Sequence, residues 1–255
     1  MTEDKPLVSV VIPAYNEEKY IAETIKAIRD LKYENIEIIV SCNSCTDNTV
    51  KIAEKLADTV LDTPVKGVSN AKNRGAIAAK GEIIIFLDSD TRMNDDLVKK
   101  VVDAYHKGYE GGKPNIRPLD DNRTRAHAAC KVHEVISKTT KKWKFFDSAW
   151  GCFIFITKKL FNKIDAIYGE GFRTDLSVHE DGDFCKKIKK HGRYVFMTDT
   201  YVMTSMRRFK EEGYMKCYLE DWYHFFSPVG KSRKRWDIHV QRLRAAKAAK
   251  KRKIL

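Results

Sequence analysis

Glu82-Ile83-Ile84-Ile85-Phe86-Leu87-Asp88-Ser89-Asp90 runs five consecutive apolar side chains into a pair of carboxylates. A strand alternates its side chains between two faces, so an unbroken apolar run is buried on both, as in a parallel sheet covered by helices on each side. Upstream, Leu7 to Ile12, a β-branched run ended by Pro13, and Ile36 to Val40 read as two further strands, with a short third strand at Val60-Leu61. Between them lie helical patterns. Tyr20, Ile21, Thr24, Ile25 and Ile28 recur at helical spacing after a cap expected at Asn16. Val50, Ile52, Ala53 and Leu56 do so after the loop Ser41 to Asp47, and Ser69 to Lys80 is an Ala-rich helix stopped by Gly81. Strand and helix in alternation predict an α/β fold with a mostly parallel, Rossmann-like central sheet and helices on both faces. In such sheets ligands bind beyond the carboxyl ends of the strands, which directs attention to Pro13 to Glu17, Ser41 to Asp47, and Asp88 to Asp90.

Beyond Asp90 the pattern loosens. Leu97 to Tyr105 reads as a helix, Gly111 to Pro118 as a connection or strand, and Arg123 to Lys142 as a polar helix. Trp150 to Ile156 reads as a strand, and Asp181 to His191 as a helix ended by Gly192. A chain of 255 residues with 43% apolar content supports one substantial core rather than two equal domains.

The net charge of +13 is concentrated at one end. After Gly230 come eleven Lys and Arg residues against the single acid Asp237. Such a tail, expected to form a basic helical extension, suits an anionic surface, either lipid headgroups or nucleic acid; its plain alternative is a solvated charge run. Met1 to Pro6 is polar and does not read as a secretory signal, and the longest apolar runs, Ile83 to Leu87 and Cys152 to Ile156, fall far short of the ~20 residues that span a bilayer. The expectation is a cytoplasmic protein, soluble or peripheral at the membrane face. Six cysteines without a paired framework fit a reducing compartment. Cys42 and Cys45 form a C-x-x-C pair, but zinc needs two further ligands at tight spacing and nothing else in the chain supports a redox motif. Asn122-Arg123-Thr124 matches a glycosylation sequon that is incidental without a secretory route.

Two carboxylates flanking one small residue, Asp88-Ser89-Asp90, let both acids face one hard cation whose other positions go to water and diphosphate oxygens. Acids also end strands merely to meet solvent, so the pair alone does not decide. The surrounding sequence does. Val8-Ser9-Val10-Val11-Ile12-Pro13-Ala14-Tyr15-Asn16-Glu17-Glu18 resembles the opening strand and loop of family-2 glycosyltransferases, which have the GT-A nucleotide-sugar fold. Thr46-Asp47-Asn48-Thr49, then Asn73-Arg74-Gly75 with Ala79-Lys80-Gly81-Glu82, then Phe86-Leu87-Asp88-Ser89-Asp90 match in the family's order across some 80 residues.

The resemblance implies that Pro13, Tyr15 and Glu17 hold the nucleotide and that Arg74 lies near the ribose or diphosphate. It also implies that Asp88-Ser89-Asp90 is the diphosphate site, with Asp90 and Asp88 binding Mg2+ or Mn2+. The loop after the second strand departs from the family, which carries one or two aspartates where this chain has Ser41-Cys42-Asn43-Ser44-Cys45. Asn43 offers both a donor and an acceptor to a base edge, so uridine and guanosine both stay open. The resemblance divides the chain into a nucleotide-sugar-binding half at 1–100, an acceptor-binding half at 101–212, and an aromatic and basic extension at 213–255.

Downstream, Trp150-Gly151-Cys152-Phe153 to Leu160-Phe161 resembles the strand and helix that wall the acceptor pocket, and His179-Glu180-Asp181 stands where the family has its Glu-Asp motif. By resemblance Asp181 is the general base, with Glu180 its rival; both acids also suit a helix N-terminus on plain electrostatic grounds. A hydroxyl activated by Asp181 attacks the anomeric carbon from the face opposite the nucleotide, so configuration inverts. Thr204-Ser205-Met206-Arg207-Arg208-Phe209 resembles a Ser-x-Arg-Arg-aromatic segment of some members, which implies that Arg208 or Arg207 closes over the diphosphate. Tyr214, Cys217, Tyr218, Trp222, Phe225 and Phe226, ahead of the basic tail, suit either an interfacial helix serving a lipid-linked or glycan acceptor, or packing back onto the domain. Two rivals remain: a nucleotidyltransferase, and a non-catalytic α/β module that binds nucleic acid through the tail. An acidic crevice without metal repels phosphates and disfavours the second.

Overall fold

The computed structural model describes residues 5–140, 150–176, 179–217 and 219. Its first four strands are β1 (Val8–Ala14), β2 (Ile36–Asn43), β3 (Thr59–Thr63) and β4 (Ile83–Leu87). All are parallel, with Val8 of β1 opposite both Ile36 and Ile83. The second half completes a mixed sheet with β5 (Thr91–Met93), β6 (Gly111–Pro118), β7 (Phe153–Thr157) and β8 (Tyr194–Thr204). The strand order is β3-β2-β1-β4-β7-β6-β8-β5. β7 runs antiparallel to β4 and β6, β8 is parallel to β6, and β5 is antiparallel to β8 at the edge.

The alternation of strand side chains builds two cores. On one side Val8, Val10, Ile12, Ile38, Val40, Ile83 and Ile85 pack beneath α1 (Ile21–Arg29), α2 (Thr49–Ala53), α4 (Leu97–His106) and α5 (Thr124–Thr140). On the other, Val11, Ile39, Ile84, Phe86, Ile154 and Ile156 pack beneath α3 (Val68–Ala78), α6 (Lys158–Tyr168) and α7 (Glu180–His191). Each fully buried Ile or Phe contributes about 1.5–3 kcal/mol of transfer free energy. Phe86 is the hub of the second core, with Phe172 and Phe184 edge-on to its ring at 4.8 and 5.8 Å.

Helix α3 lies close to the sheet because residue 75 has no side chain. A Cβ on Gly75 would sit 2.2 Å from Cγ1 of Val11. The helix ends at Ala78, two residues before the expected end. Ala79 turns extended (φ −58°, ψ 131°), and the N–H groups of Lys80 and Gly81 donate to the Glu37 carboxylate and the Ser9 hydroxyl at 2.6 and 2.8 Å. The start of α1 also differs. Tyr20 precedes its first residue, whereas Asn16 sits in the left-handed region (φ 56°) and accepts from the Thr46 N–H at 2.8 Å. Its amide therefore joins two loops at the strand ends instead of capping a helix.

No helix among the described residues is long and apolar enough to cross a membrane. The expected basic helix from Lys231 onward, with Tyr218, Trp222, Phe225 and Phe226, lies outside the described residues. Tyr214 and Cys217 are described. The Cys217 side chain is buried, and the Tyr214 ring packs on Phe209 at 5.3 Å and donates its hydroxyl to Asp121 at 2.7 Å.

Candidate active site

The carboxyl ends of β1, β2 and β4 open on one cleft, and the loops around it are tied to one another. The Glu17 N–H donates to the Thr49 hydroxyl (2.8 Å), the Glu18 N–H to Asp47 (3.2 Å), and the Asn48 N–H back to Glu18 (3.1 Å). Pro13 is buried within β1, Tyr15 is exposed just past it, and Asn43 is buried at the last position of β2. The non-glycine residues with positive φ among those described are Asn16, Ser44 and His179. Asn16 and Ser44 follow β1 and β2, and His179 precedes α7. Strain of this kind gathers where surrounding structure dictates the backbone.

Asp88-Ser89-Asp90 is pinned through its main chain. The Asp88 N–H donates to the Cys152 carbonyl (3.1 Å), the Ser89 carbonyl accepts from the Thr24 hydroxyl (2.6 Å), and the Asp90 carbonyl accepts from the Ser205 N–H (3.2 Å). Both side chains are left to the cleft. Across it, Glu180 and Asp181 open α7, and between the two acid pairs stands Lys72 of α3. Its side chain is only 2% exposed; the ammonium lies 2.5 Å from Oδ1 of Asp181 and 3.3 Å from Oε1 of Glu180. Gly151 faces the same carboxylate so closely that a Cβ there would fall 1.6 Å from Oδ2 of Asp181.

On the outer side Arg207, at the start of the short helix α8 (Arg207–Glu212), donates twice to Glu17 at 2.8 and 2.7 Å and forms an ion pair with Asp90, its Nε 2.9 Å from Oδ2. Arg208 turns instead toward Glu212. Arg74 is exposed, on the side of α3 away from Lys72, as two residues along a helix require. The cleft thus gathers Glu17, Asp88, Ser89, Asp90, Glu180, Asp181 and Arg207; Arg74 and Arg208 are not among the side chains it brings together. Lys72 went unnoticed in the sequence although its signal was present. Val68, Ala71, Lys72, Gly75, Ala76 and Ala79 form one stripe at helical spacing, and a single charge interrupts it.

Five acids share this cleft with two cations, and the electrostatics record the imbalance. Burial pushes the Asp88 carboxyl up to about 8; Lys72 pulls against that, and Asp181 and Asp90 add to it. Burial raises Glu180 to about 7, with Asp181 adding and Lys72 opposing. Burial also raises Asp90, where Arg207 opposes. For Lys72 burial disfavours the charge, but Asp181, Glu180 and Asp88 outweigh it and hold the ammonium protonated far above the usual lysine range. Excess buried negative charge of this kind fits a divalent cation. Among the described residues no three His, Cys, Asp or Glu side chains are grouped to hold one alone. Asp88 and Asp90 fit a hard ion that takes its remaining ligands from water and phosphate.

Residues 9–163 match the family described as "Glycosyl transferase family 2". Over 222 residues, 79% of this chain and 71% of its relative, the sequence is 29% identical to glycosyltransferase GlyG of Streptococcus pneumoniae. Among solved structures, Staphylococcus aureus TarS 1-349 in complex with UDP-GlcNAc superposes with a TM-score of 0.61 at 19% identity, covering 89% of this chain and 69% of TarS 1-349. Mannosyltransferase PcManGT from Pyrobaculum calidifontis, in complex with GDP-Man and Mn2+, superposes at 0.64 and 19% identity, covering 87% of this chain and 62% of that one. At such identities the two structures establish the likeness of fold.

Proposed function

Because the chain belongs to glycosyl transferase family 2, we propose that it is an inverting, metal-dependent enzyme that moves a sugar from a nucleoside diphosphate donor to an acceptor hydroxyl or a lipid phosphate. The observation that supports this reading is that Glu180 and Asp181 lie across Lys72 from Asp88, as a base beside a diphosphate site would. The nucleotide lies over Pro13, Tyr15, Glu17 and Asn43. Both UDP-GlcNAc and GDP-Man occur in neighbours of this fold, so the base is decided by experiment. Asp90 and Asp88 would hold Mg2+ or Mn2+, which would supply positive charge to the departing diphosphate.

The chain's own groups do the rest. Lys72 occupies Oδ1 of Asp181, which leaves Oδ2, on the Gly151 side, to take the acceptor proton. Glu180 shares the same lysine and is the rival base. Arg207, at the mouth, offers a planar fork to diphosphate oxygens. Residues 101–212 wall the acceptor side, where Trp150 stacks on His133 at 5.0 Å and meets Phe209 at 5.1 Å. The basic and aromatic sequence after residue 213 supports peripheral docking on an anionic membrane and with it a lipid-linked acceptor.

A thermal-shift panel of UDP-, GDP-, CMP- and dTDP-sugars, with Mn2+ or with EDTA, tests the reading. A donor at 100 times its dissociation constant stabilises by ~2.7 kcal/mol, and this gain is expected to vanish in EDTA and in Asp90→Ala. Donor binding indifferent to both treatments ends the metal assignment.

A further inference from the structure

We infer that Arg207 is the built-in counter-cation of the divalent-metal site, so that metal binds weakly to the free enzyme and tightly only once a donor diphosphate has drawn the arginine away. The inference rests on the proposed function and adds an order of assembly to it.

The guanidinium makes three contacts with the two acids at the mouth of the cleft: a double one to Glu17 and one through Nε to Asp90. It therefore sits against the aspartate that the metal needs. The backbone that carries it is fixed from behind. The Arg207 N–H donates to the Ser205 hydroxyl at 3.2 Å, that hydroxyl donates to Asp120 at 2.8 Å, and the Met206 N–H donates to the same carboxylate at 2.8 Å. The ring of Tyr20 covers the guanidinium at 4.9 Å.

Yet the side chain remains 38% exposed, whereas its partners Glu17 and Asp90 are 12% and 10% exposed. The acids are held in the wall and the arginine can leave. An arginine fork matches phosphate oxygens as well as carboxylates, so a bound diphosphate offers it an alternative partner at the moment the metal requires Asp90. Removing a competing cation from the ligand sphere raises metal affinity. By linkage, the metal then raises nucleotide affinity by the same factor.

The experiment titrates Mn2+ into the full chain, followed by calorimetry and by the electron paramagnetic resonance signal of free Mn2+, with no nucleotide and then with saturating UDP or GDP. The wild type is expected to bind Mn2+ alone at least 10-fold more weakly than with nucleotide. Arg207→Gln is expected to bind Mn2+ alone at least 10-fold more tightly than the wild type, with a smaller gain on adding nucleotide. Arg208→Gln removes the same charge one residue along, from a side chain turned to Glu212, and is expected to change Mn2+ affinity less than 3-fold. If Arg207→Gln does not fold, Arg207→Lys serves: one ammonium cannot span both acids as the fork does, and Mn2+ affinity should fall between wild type and the expected Gln value.

Arg207→Gln or Arg207→Lys binding Mn2+ no more tightly than wild type overturns the inference. So does an equal gain in Arg208→Gln, which would make the effect one of net charge. Failure of the underlying reading looks different: nucleotide then binds the wild type equally well in Mn2+ and in EDTA.

Discussion

Asp88 with Asp90 and Glu180 with Asp181 are two pairs of acids on the rim of one cleft, but the cations that answer them differ in kind. Lys72, which serves the second pair, is 2% exposed, lies in the body of α3 and touches both carboxylates. Arg207, which serves Asp90, is 38% exposed and enters from a six-residue helix near the end of the described chain. The first cation is part of the core and keeps its partners; the second stands at the mouth and can exchange them. Under the proposed function, the difference teaches how one cleft can hold a base rigidly while leaving a diphosphate site free to change occupants.

The largest effect expected from breaking this contrast comes from the buried lysine. Lys72→Met leaves Glu180, Asp181 and Asp88 facing one another without their shared cation, and removing one partner of a buried ion pair costs about 3–5 kcal/mol. Urea denaturation should show that loss at pH 8 and a smaller one at pH 5, where the acids can take up protons instead. Arg207→Gln, removing a cation that solvent partly screens, should cost less in the same assay. Equal losses for the two variants would erase the distinction between a fixed and an exchangeable cation.

The next effect is chemical. Asp181→Asn keeps the size of the side chain and a partner for Lys72 but removes the base, so turnover should fall ~100-fold or more while donor binding, read by thermal shift, stays near wild type. Glu180→Gln is the companion variant. If it loses turnover and Asp181→Asn does not, the base is Glu180.

A smaller effect tests how tightly the base is set. Gly151→Ala inserts a methyl where Oδ2 of Asp181 now lies, so the carboxylate must shift while Lys72 holds its other oxygen. Turnover should fall, with the ~100-fold cost of a ~1 Å misplacement as upper bound, and the donor KM should move little. Unchanged turnover would mean that the Oδ2 side of Asp181 faces no reacting atom.

Legibility in the sequence followed the same division as the cleft. The parallel strands β1, β2 and β4 were readable because short runs dominated by β-branched and other apolar residues, five in a row in β4, suit few other environments, and the acids after β4 were readable from where that run stops. The pairing of β7 against β4 was not, since antiparallel and parallel neighbours bury the same Phe153-Ile154-Phe155-Ile156 run. Asn16 looked like a helix cap because asparagine favours that role; it serves a loop because the Thr46 N–H, thirty residues away, reaches it first. Lys72 was hidden for a related reason. A lysine on an Ala-rich helix reads as solvated unless one knows that three acids from β4 and α7 converge on it, and that convergence is long-range. For Arg207 the sequence suggests a phosphate ligand and gives no sign of its present partners, Glu17 and Asp90, which lie 190 and 117 residues earlier in the chain.

The last expected effect concerns pH and tests whether the acid excess is real in the metal-free protein. Burial raises Asp88 from 3.8 to about 8 and Glu180 from 4.5 to about 7. Between the unfolded and folded values of each group the native state therefore holds protons that the unfolded chain has released. Stability then falls as pH rises through that window and levels off above it, the reverse of the pattern for an acid whose pKa is depressed by an ion pair. In EDTA the melting temperature should decline steadily from pH 5 to pH 8.5. A divalent ion plus donor nucleotide, which prefer the ionised acids, should flatten or invert that slope. Melting curves at half-unit pH steps in EDTA and in Mn2+ with UDP or GDP measure both. A metal-free protein that grows more stable toward pH 8 would show instead that Lys72 and Arg207 already neutralise the cleft, whose charge would then call for no divalent ion.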